Sequence, residues 1–155
     1  MIYVFDTSPL ITLFTYYYKS RFPTLWEKFD KILSEQKIVS TRENLREIET
    51  QNQDLYNWAN DHIELFEIPT ADEALFIRQI YNNKHFQHNL EHQKLLYGGN
   101  IADPFVIAKA KAISGTVVTN EQFKPNAAKI PNICNHFNIS CINLEEFMEQ
   151  ENWTF

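Results

Sequence analysis

Four acidic residues stand beside predicted strands and helices in positions where their side chains could do chemistry together. They are Asp6, Glu47, Asp103 and Glu121. If the fold brings these carboxylates together, each disfavours ionisation of the others, and a divalent cation is the usual remedy. Because carboxylate oxygens are hard ligands, the predicted cofactor is Mg²⁺ or Mn²⁺.

A cation held in this way can activate a water molecule and neutralise charge on the leaving oxygen. The four acids therefore predict hydrolysis of a nucleic-acid backbone. The net charge of −6 argues against a broadly basic binding surface, so local positive charge is needed. The candidates for phosphate contacts are Arg42, Arg46, Lys124 and Lys129. Glu43, four residues before Glu47, is a second candidate for the helical carboxylate.

Short apolar strands alternate with helices along the chain. Strands are predicted at residues 2–5, 37–39, 116–118 and 139–142, and helices at 9–18, 23–33, 41–51, 71–81, 84–97, 105–113 and 144–150. The predicted caps or first-turn residues are Ser8 with Pro9, Ser40 or Thr41, Thr70 with Glu73, and Asp103 with Pro104. This alternation predicts an α/β fold with a parallel sheet of four or five strands and helices on both faces. Ligands of such sheets bind at the carboxyl ends of the strands.

Length and composition predict one globular domain spanning residues 1–155, with 44% hydrophobic residues. Cys134 and Cys141 lack the spacing of a zinc site or a disulfide framework, which favours reduced thiols in the cytoplasm. Asp6 interrupts the first apolar run, and the chain has neither a signal-peptide pattern nor an apolar stretch of membrane-spanning length. We therefore expect a cytoplasmic protein without a membrane partner.

Four segments resemble PIN-domain nucleases: VFDTSPLI at 4–11, the REI glutamate Glu47, ADPFVIAKA at 102–110 and VVTNEQF at 117–123. The resemblance runs along nearly the whole chain and implies a compact α/β nuclease fold. It places Asp6, Glu47, Asp103 and Glu121 on the family's four acidic positions, with Thr119 as its hydroxyl residue and Ser8 as a supporting hydroxyl. Many relatives carry aspartate where this chain has Glu121.

The same resemblance implies a function and partners. Many bacterial PIN domains are the toxin halves of toxin–antitoxin pairs that cut RNA, so the expected substrate is RNA and the expected partner is a cognate antitoxin protein. The segment KPNAAKIPNIC at 124–134 is particular to this chain's subgroup.

Alternative interpretations exist for each acid and for the whole function. Taken singly, Asp103 can be a helix cap, Asp6 a turn residue and Glu47 a solvated helix charge. A catalytically inactive PIN-like module that docks protein or RNA is one rival function. A phosphatase of the haloacid-dehalogenase type is another, but that chemistry requires an aspartate where Ser8 stands.

Other side chains that could bind ligands favour structural interpretations. His85, His88 and His92 are expected to form a solvated helix face, and Gly98 with Gly99 a turn. Five aromatic residues are expected in the core or in an oligomer interface, namely Tyr16, Tyr17, Tyr18, Trp26 and Phe29. Trp153 and Phe155 are expected to pack on the body or on a second subunit. Together with the five residues above, they predict a homodimer.

Overall fold

Five short parallel strands form one sheet in the computed structural model, which describes residues 1–99 and 101–155. They are β1 (Tyr3–Phe5), β2 (Ile38–Thr41), β3 (Phe66–Glu67), β4 (Thr116–Val118) and β5 (Cys141–Ile142). The strand order is β3-β2-β1-β4-β5, and every neighbouring pair is parallel. The chain moves outward on one side of β1 and then on the other, so the order reverses between β1 and β4. In open α/β sheets, this reversal opens the crevice where ligands bind.

Nine α-helices surround the sheet within the described ranges. They are α1 (Thr7–Tyr16), α2 (Pro23–Ser34), α3 (Arg42–Ile48), α4 (Gln53–Asp61), α5 (Ala71–Asn82), α6 (Lys84–Leu96), α7 (Asp103–Ile113), α8 (Ile130–His136) and α9 (Leu144–Gln150). A 3₁₀ turn, Ile63–Leu65, leads into β3. The predicted α/β class, parallel sheet and strand number are confirmed.

Two hydrophobic cores lie on the two faces of the sheet, because successive side chains of a strand point to opposite faces. Tyr3 and Phe5 of β1 belong to one core, with residues of α1, α2, α4 and α9. Val4 belongs to the other core, with residues of α5, α6, α7 and α8. Helices therefore cover both faces of β1, as expected for a fully buried central strand.

The start of the first helix differs from the sequence prediction. Asp6, rather than Ser8, is the N-cap residue of α1, and the helix ends at Tyr16 instead of at residue 18. The Ser8 hydroxyl has other partners, since it donates to Asp6 and accepts from the backbone N–H of Asn120. Ala102 is the N-cap residue of α7, and Asp103 follows it in the first turn. The interpretation of Asp103 as an N-cap is therefore wrong.

Three elements, α4, β3 and α8, were not predicted from the sequence, and the predicted helix at 41–51 ends as α3 at Ile48. β3 has only two residues, of which Glu67 is exposed, and it becomes a strand by pairing with β2. The capping box of Thr70 and Glu73 at the start of α5 is confirmed in both of its hydrogen bonds.

Several structural interpretations from the sequence are confirmed. His85, His88 and His92 are exposed on α6, and Gly98 and Gly99 form a turn with positive φ. Trp26 and Phe29 are core residues, whereas Tyr16 and Tyr18 are exposed. Trp153 packs edge-on against Phe147 of the body, with ring centroids 5.2 Å apart, and Phe155 is exposed. Cys134 and Cys141 are free cysteines.

In the part of the chain that the structure describes, no helix combines the length and the apolar character needed to cross a membrane.

Candidate active site

Asp6 lies at the carboxyl end of β1, beside the point where the strand order reverses. Its backbone N–H donates to the Val118 carbonyl of β4 at 2.9 Å, which fixes the end of β1 against its neighbour. Thr119 follows β4 directly and Thr41 ends β2. The sheet therefore brings polar residues from three adjacent strands to one edge.

Three side chains donate hydrogen bonds to the Asp6 carboxylate. The Thr119 hydroxyl lies 2.9 Å and the Ser8 hydroxyl 3.3 Å from Oδ2, and Asn44 Nδ2 lies 3.2 Å from Oδ1. Asp6 is 6% exposed, and burial raises its pKa against the lowering effect of the three donors. Ser8 and Thr119, the two hydroxyl residues that the sequence predicts as supporting residues of the site, both contact Asp6.

Asn44 is a site residue that sequence reasoning missed. It is buried in the first turn of α3, where its Nδ2 also donates to Thr7 Oγ1 at 3.0 Å and its Oδ1 accepts from the Thr41 hydroxyl at 2.6 Å. This amide ties the start of α3 to Asp6. The sequence could have indicated Asn44 through its position three residues before Glu47, because side chains at this spacing lie on neighbouring parts of one helix face.

Glu47 lies on α3, and its Oε1 accepts from the Thr7 hydroxyl at 3.4 Å. Burial raises the pKa of Glu47 to about 7, and the charges of Asp6 and Glu121 act in the same direction. A carboxyl group in this state carries a proton for part of the time at neutral pH. Thr7 was not singled out by the sequence analysis.

Glu43, the second candidate for the helical carboxylate, is engaged by arginines instead. Its Oε1 lies 3.0 Å from Arg42 Nη2 and its Oε2 lies 3.0 Å from Arg46 Nη1. The carboxylate of α3 whose pKa is raised by the charges of other acids is therefore Glu47.

Asp103 begins α7 and is 8% exposed. Burial raises its pKa well above the ordinary value, and the negative charges of Glu121, Asp6 and Glu47 raise it further. Lys129 acts in the opposite direction. Asp103 is thus close enough to all three other acids for their charges to affect it.

Glu121 lies in the loop between β4 and α8. Its Oε2 accepts the backbone N–H of Ile130 at 2.8 Å, and its own backbone N–H donates to Thr119 Oγ1 at 3.1 Å. Burial raises the pKa of Glu121, although the Ile130 N–H and Lys129 lower it. The longer side chain of glutamate here reaches the start of α8.

The four acids therefore occupy one region, which we call the acidic centre: Asp6, Glu47, Asp103 and Glu121. Three of them, Glu47, Asp103 and Glu121, line a cavity of about 520 Å³ that we call the acidic cavity, and Asp6 is buried outside its lining. A cluster of acids with raised pKa values in a cleft is typical of a functional site.

The predicted phosphate contacts are not all placed alike. Arg46 and Lys129 line the acidic cavity, whereas Arg42 lies outside its lining. Both arginines pair with Glu43. Lys124 is exposed in the loop before α8, and Asn132 bonds to its backbone N–H and carbonyl.

The donor set suits a hard divalent cation, because buried carboxylates that repel one another gain most from one. Asp6, Glu47, Asp103 and Glu121 are the residues that would hold it. Within residues 1–99 and 101–155, however, no group of three or more His, Cys, Asp or Glu side chains is arranged to hold a metal ion. The acids share a region without converging on one point.

The fold and the site define an α/β domain with a parallel five-stranded sheet and an acidic centre at its carboxyl edge. The chain belongs to the family described as a domain of unknown function, DUF4411, whose model matches residues 3–155. The match includes the whole sheet and all four acids. No curated protein matches the chain.

Proposed function

We propose that the chain is a PIN-type, metal-dependent ribonuclease that hydrolyses RNA phosphodiester bonds at the acidic centre. The observation that carries the proposal is the meeting of four acids at one sheet edge, where Asp6 and Asp103 are buried, Glu47 and Glu121 are half-buried, and burial raises the pKa of each. The charges of neighbouring acids raise the pKa values of Glu47, Asp103 and Glu121 further. Such burial is costly unless a cation compensates it. The resemblance of the surrounding segments to PIN domains supports the same function.

A bound Mg²⁺ or Mn²⁺ would supply an activated water molecule and neutralise charge on the leaving oxygen. The residues of the chain have separate tasks. Asp6 and Asp103 are short side chains at the start of helices, so their carboxylates stay close to the helix ends that carry them. Glu47 and Glu121 are longer, and their side chains can rotate toward an ion.

Hydrogen bonds around Asp6 hold it in one orientation. Thr119 and Ser8 bind one carboxylate oxygen and Asn44 binds the other, so rotation of the carboxylate would break at least one of these contacts. Arg46 and Lys129 bring positive charge to the acidic cavity and would bind the phosphate of the substrate.

The proposal includes partners and location. A cytoplasmic toxin of a toxin–antitoxin pair would bind a cognate antitoxin protein, and the exposed Tyr16, the last residue of α1, supports a homodimer. Light scattering across a range of protein concentrations tests the dimer, and a monomer at the highest concentration would contradict it.

Cleavage of RNA during a Mg²⁺ or Mn²⁺ titration tests the proposed activity. Wild type should cleave only when metal is present, and Asp6→Asn should reduce cleavage to background while leaving the fold intact. Asp30→Asn is the matched control, because Asp30 is an exposed acid on α2 and should cleave like wild type.

Two results would contradict the nuclease. Full metal-dependent cleavage by Asp6→Asn would remove the acidic centre from the mechanism. Wild-type protein that binds RNA but never cleaves it would instead support the inactive binding module.

A further inference from the structure

Two exposed aromatic side chains line cavities that contain members of the acidic centre. Tyr97, 71% exposed, lines the acidic cavity together with Glu47, Asp103 and Glu121. Phe123, 56% exposed, lines a second cavity of about 600 Å³, which we call the side cavity. Glu121 lines both cavities, so they adjoin at one member of the centre.

Packing does not account for the position of either side chain. Tyr97 is the C-cap residue after α6 and is followed by Gly98 and Gly99, whose φ values of 74° and 91° turn the chain. Phe123 lies in the loop after β4, a segment held by the bonds of Asn132 to the backbone of Lys124. Neither Tyr97 nor Phe123 belongs to the two hydrophobic cores of the described residues.

The two cavities differ in charge. The acidic cavity contains Arg46 and Lys129, which can bind a phosphate. The lining of the side cavity in the described chain contains Glu121, Glu145 and Glu146 and no lysine or arginine. Such a lining repels phosphate, so Phe123 is suited to an uncharged aromatic group.

A nucleobase has the required chemistry for both positions, because every base has a flat π-face that stacks on an aromatic side chain. Nucleotides on either side of a phosphodiester at the acidic centre would place one base near Tyr97 and the other near Phe123. Stacking on a protein side chain requires that each base be unpaired.

We infer that Tyr97 and Phe123 stack the bases of the two nucleotides that flank the cleaved bond, and so position RNA for cutting. This inference rests on the proposed nuclease function. Two residues outside the acidic centre then determine which bond of the RNA is cut.

Binding of a short, unpaired, fluorescently labelled oligoribonucleotide tests the stacking residues. Fluorescence anisotropy is measured with Ca²⁺ in place of Mg²⁺, and a gel checks that the RNA stays intact. Tyr97→Ala and Phe123→Ala should each raise the Kd about 5- to 100-fold, as expected for loss of one stacked base. Tyr97→Phe and Phe123→Tyr should bind like wild type.

Matched controls separate stacking from other effects. Tyr18→Ala removes an aromatic side chain that is 61% exposed and lies outside both cavities, so its Kd should not change. Tyr97→Leu and Phe123→Leu keep an apolar side chain without a π-face and should weaken binding as alanine does. Circular dichroism checks that each variant is folded.

A cleavage assay locates each base. One abasic nucleotide is moved along the oligoribonucleotide, and wild type should cut slowly when it falls on either side of the bond. The cleavage rate of Phe123→Ala should no longer depend on an abasic nucleotide at one of these positions. The cleavage rate of Tyr97→Ala should no longer depend on one at the other position.

The outcomes distinguish the two proposals. If wild type cleaves RNA while both alanine variants bind and cut like Tyr18→Ala, the stacking inference is overturned and the nuclease remains. If wild type neither binds nor cleaves RNA in any metal, both proposals fail.

Discussion

Asp6 is subject to two opposing effects, burial and hydrogen bonding. Burial raises its pKa, and the donors Thr119, Ser8 and Asn44 lower it without cancelling the effect of burial. The arrangement fixes the orientation of the carboxylate while leaving its charge poorly compensated. A cation would supply the missing compensation.

Asn44→Ala should weaken both the fold and the site. The substitution leaves Asp6, Thr7 and Thr41 without the amide that bonds to all three. We expect a loss of about 1–3 kcal/mol in the free energy of unfolding, and Mn²⁺ affinity about 10- to 100-fold lower. Urea denaturation and calorimetric Mn²⁺ titration measure the two effects. Asn60→Ala, at an exposed position of α4, is the control, and equal behaviour of the two variants would refute the role of Asn44.

The metal-free protein should become less stable as pH rises. The pKa of Glu47 is raised from 4.5 to about 7 by burial and by neighbouring acids, so the folded state binds more protons than the unfolded state between these values. The stabilisation is complete below about pH 4.5 and is lost as pH rises through 7. Asp6, Asp103 and Glu121 shift in the same direction.

Urea denaturation in EDTA from acidic to neutral pH measures this trend. Glu47→Gln should flatten the profile and stabilise the metal-free protein at neutral pH, because it removes one of the mutually repelling charges. A free energy of unfolding that increases from pH 5 to pH 7 would be the opposite of the expected result.

Helix α7 links the acidic centre to the rest of the fold. It carries Asp103 in its first turn and the buried Lys109 farther along. Lys109 Nζ lies 2.6 Å from Glu73 Oε1 of α5 and 3.1 Å from Glu67 Oε1 of β3. Burial would lower the pKa of Lys109, but its hydrogen bonds to Glu73 and Glu67 raise it overall. Lys109 therefore stays charged and ties α7 to two neighbouring elements.

Lys109→Ala should destabilise the protein by about 3–5 kcal/mol, because it leaves Glu73 buried without a positive partner. The double variant Lys109→Met with Glu73→Gln removes both charges and should recover most of this loss. Urea denaturation of Lys109→Ala and of the double variant measures the loss and its recovery. Equal stability of Lys109→Ala and wild type would show that the pair contributes little.

The elements also show how far the sequence was informative. The capping box at Thr70 and Glu73 was predictable because both of its hydrogen bonds are local. β3 was not, because two residues acquire strand character only through pairing with β2. The four acids could be proposed from motifs, whereas the role of Asn44 depends on α3 packing beside the end of β1, a contact between distant parts of the chain.

The order of the strands in the sheet determines where the acidic centre lies. β1 lies between β2 and β4, so Asp6 after β1, α3 after β2 and Glu121 after β4 reach the same edge. Asp103 joins them from the start of α7, which packs on the same sheet. The net charge of −6 is then compatible with an RNA substrate if a cation occupies the centre and Arg46 and Lys129 contact the phosphate.

An anomalous-scattering map from crystals soaked in Mn²⁺ tests whether the four acids bind a divalent cation. We predict an Mn²⁺ peak in contact with the carboxylates of Asp6 and Asp103, with Glu47 or Glu121 rotated toward it. In crystals of Asp6→Asn the peak should weaken or vanish. Protein that cleaves RNA in Mn²⁺ solution, but whose crystals show no Mn²⁺ at these four acids at saturating concentration, would show that the metal acts elsewhere.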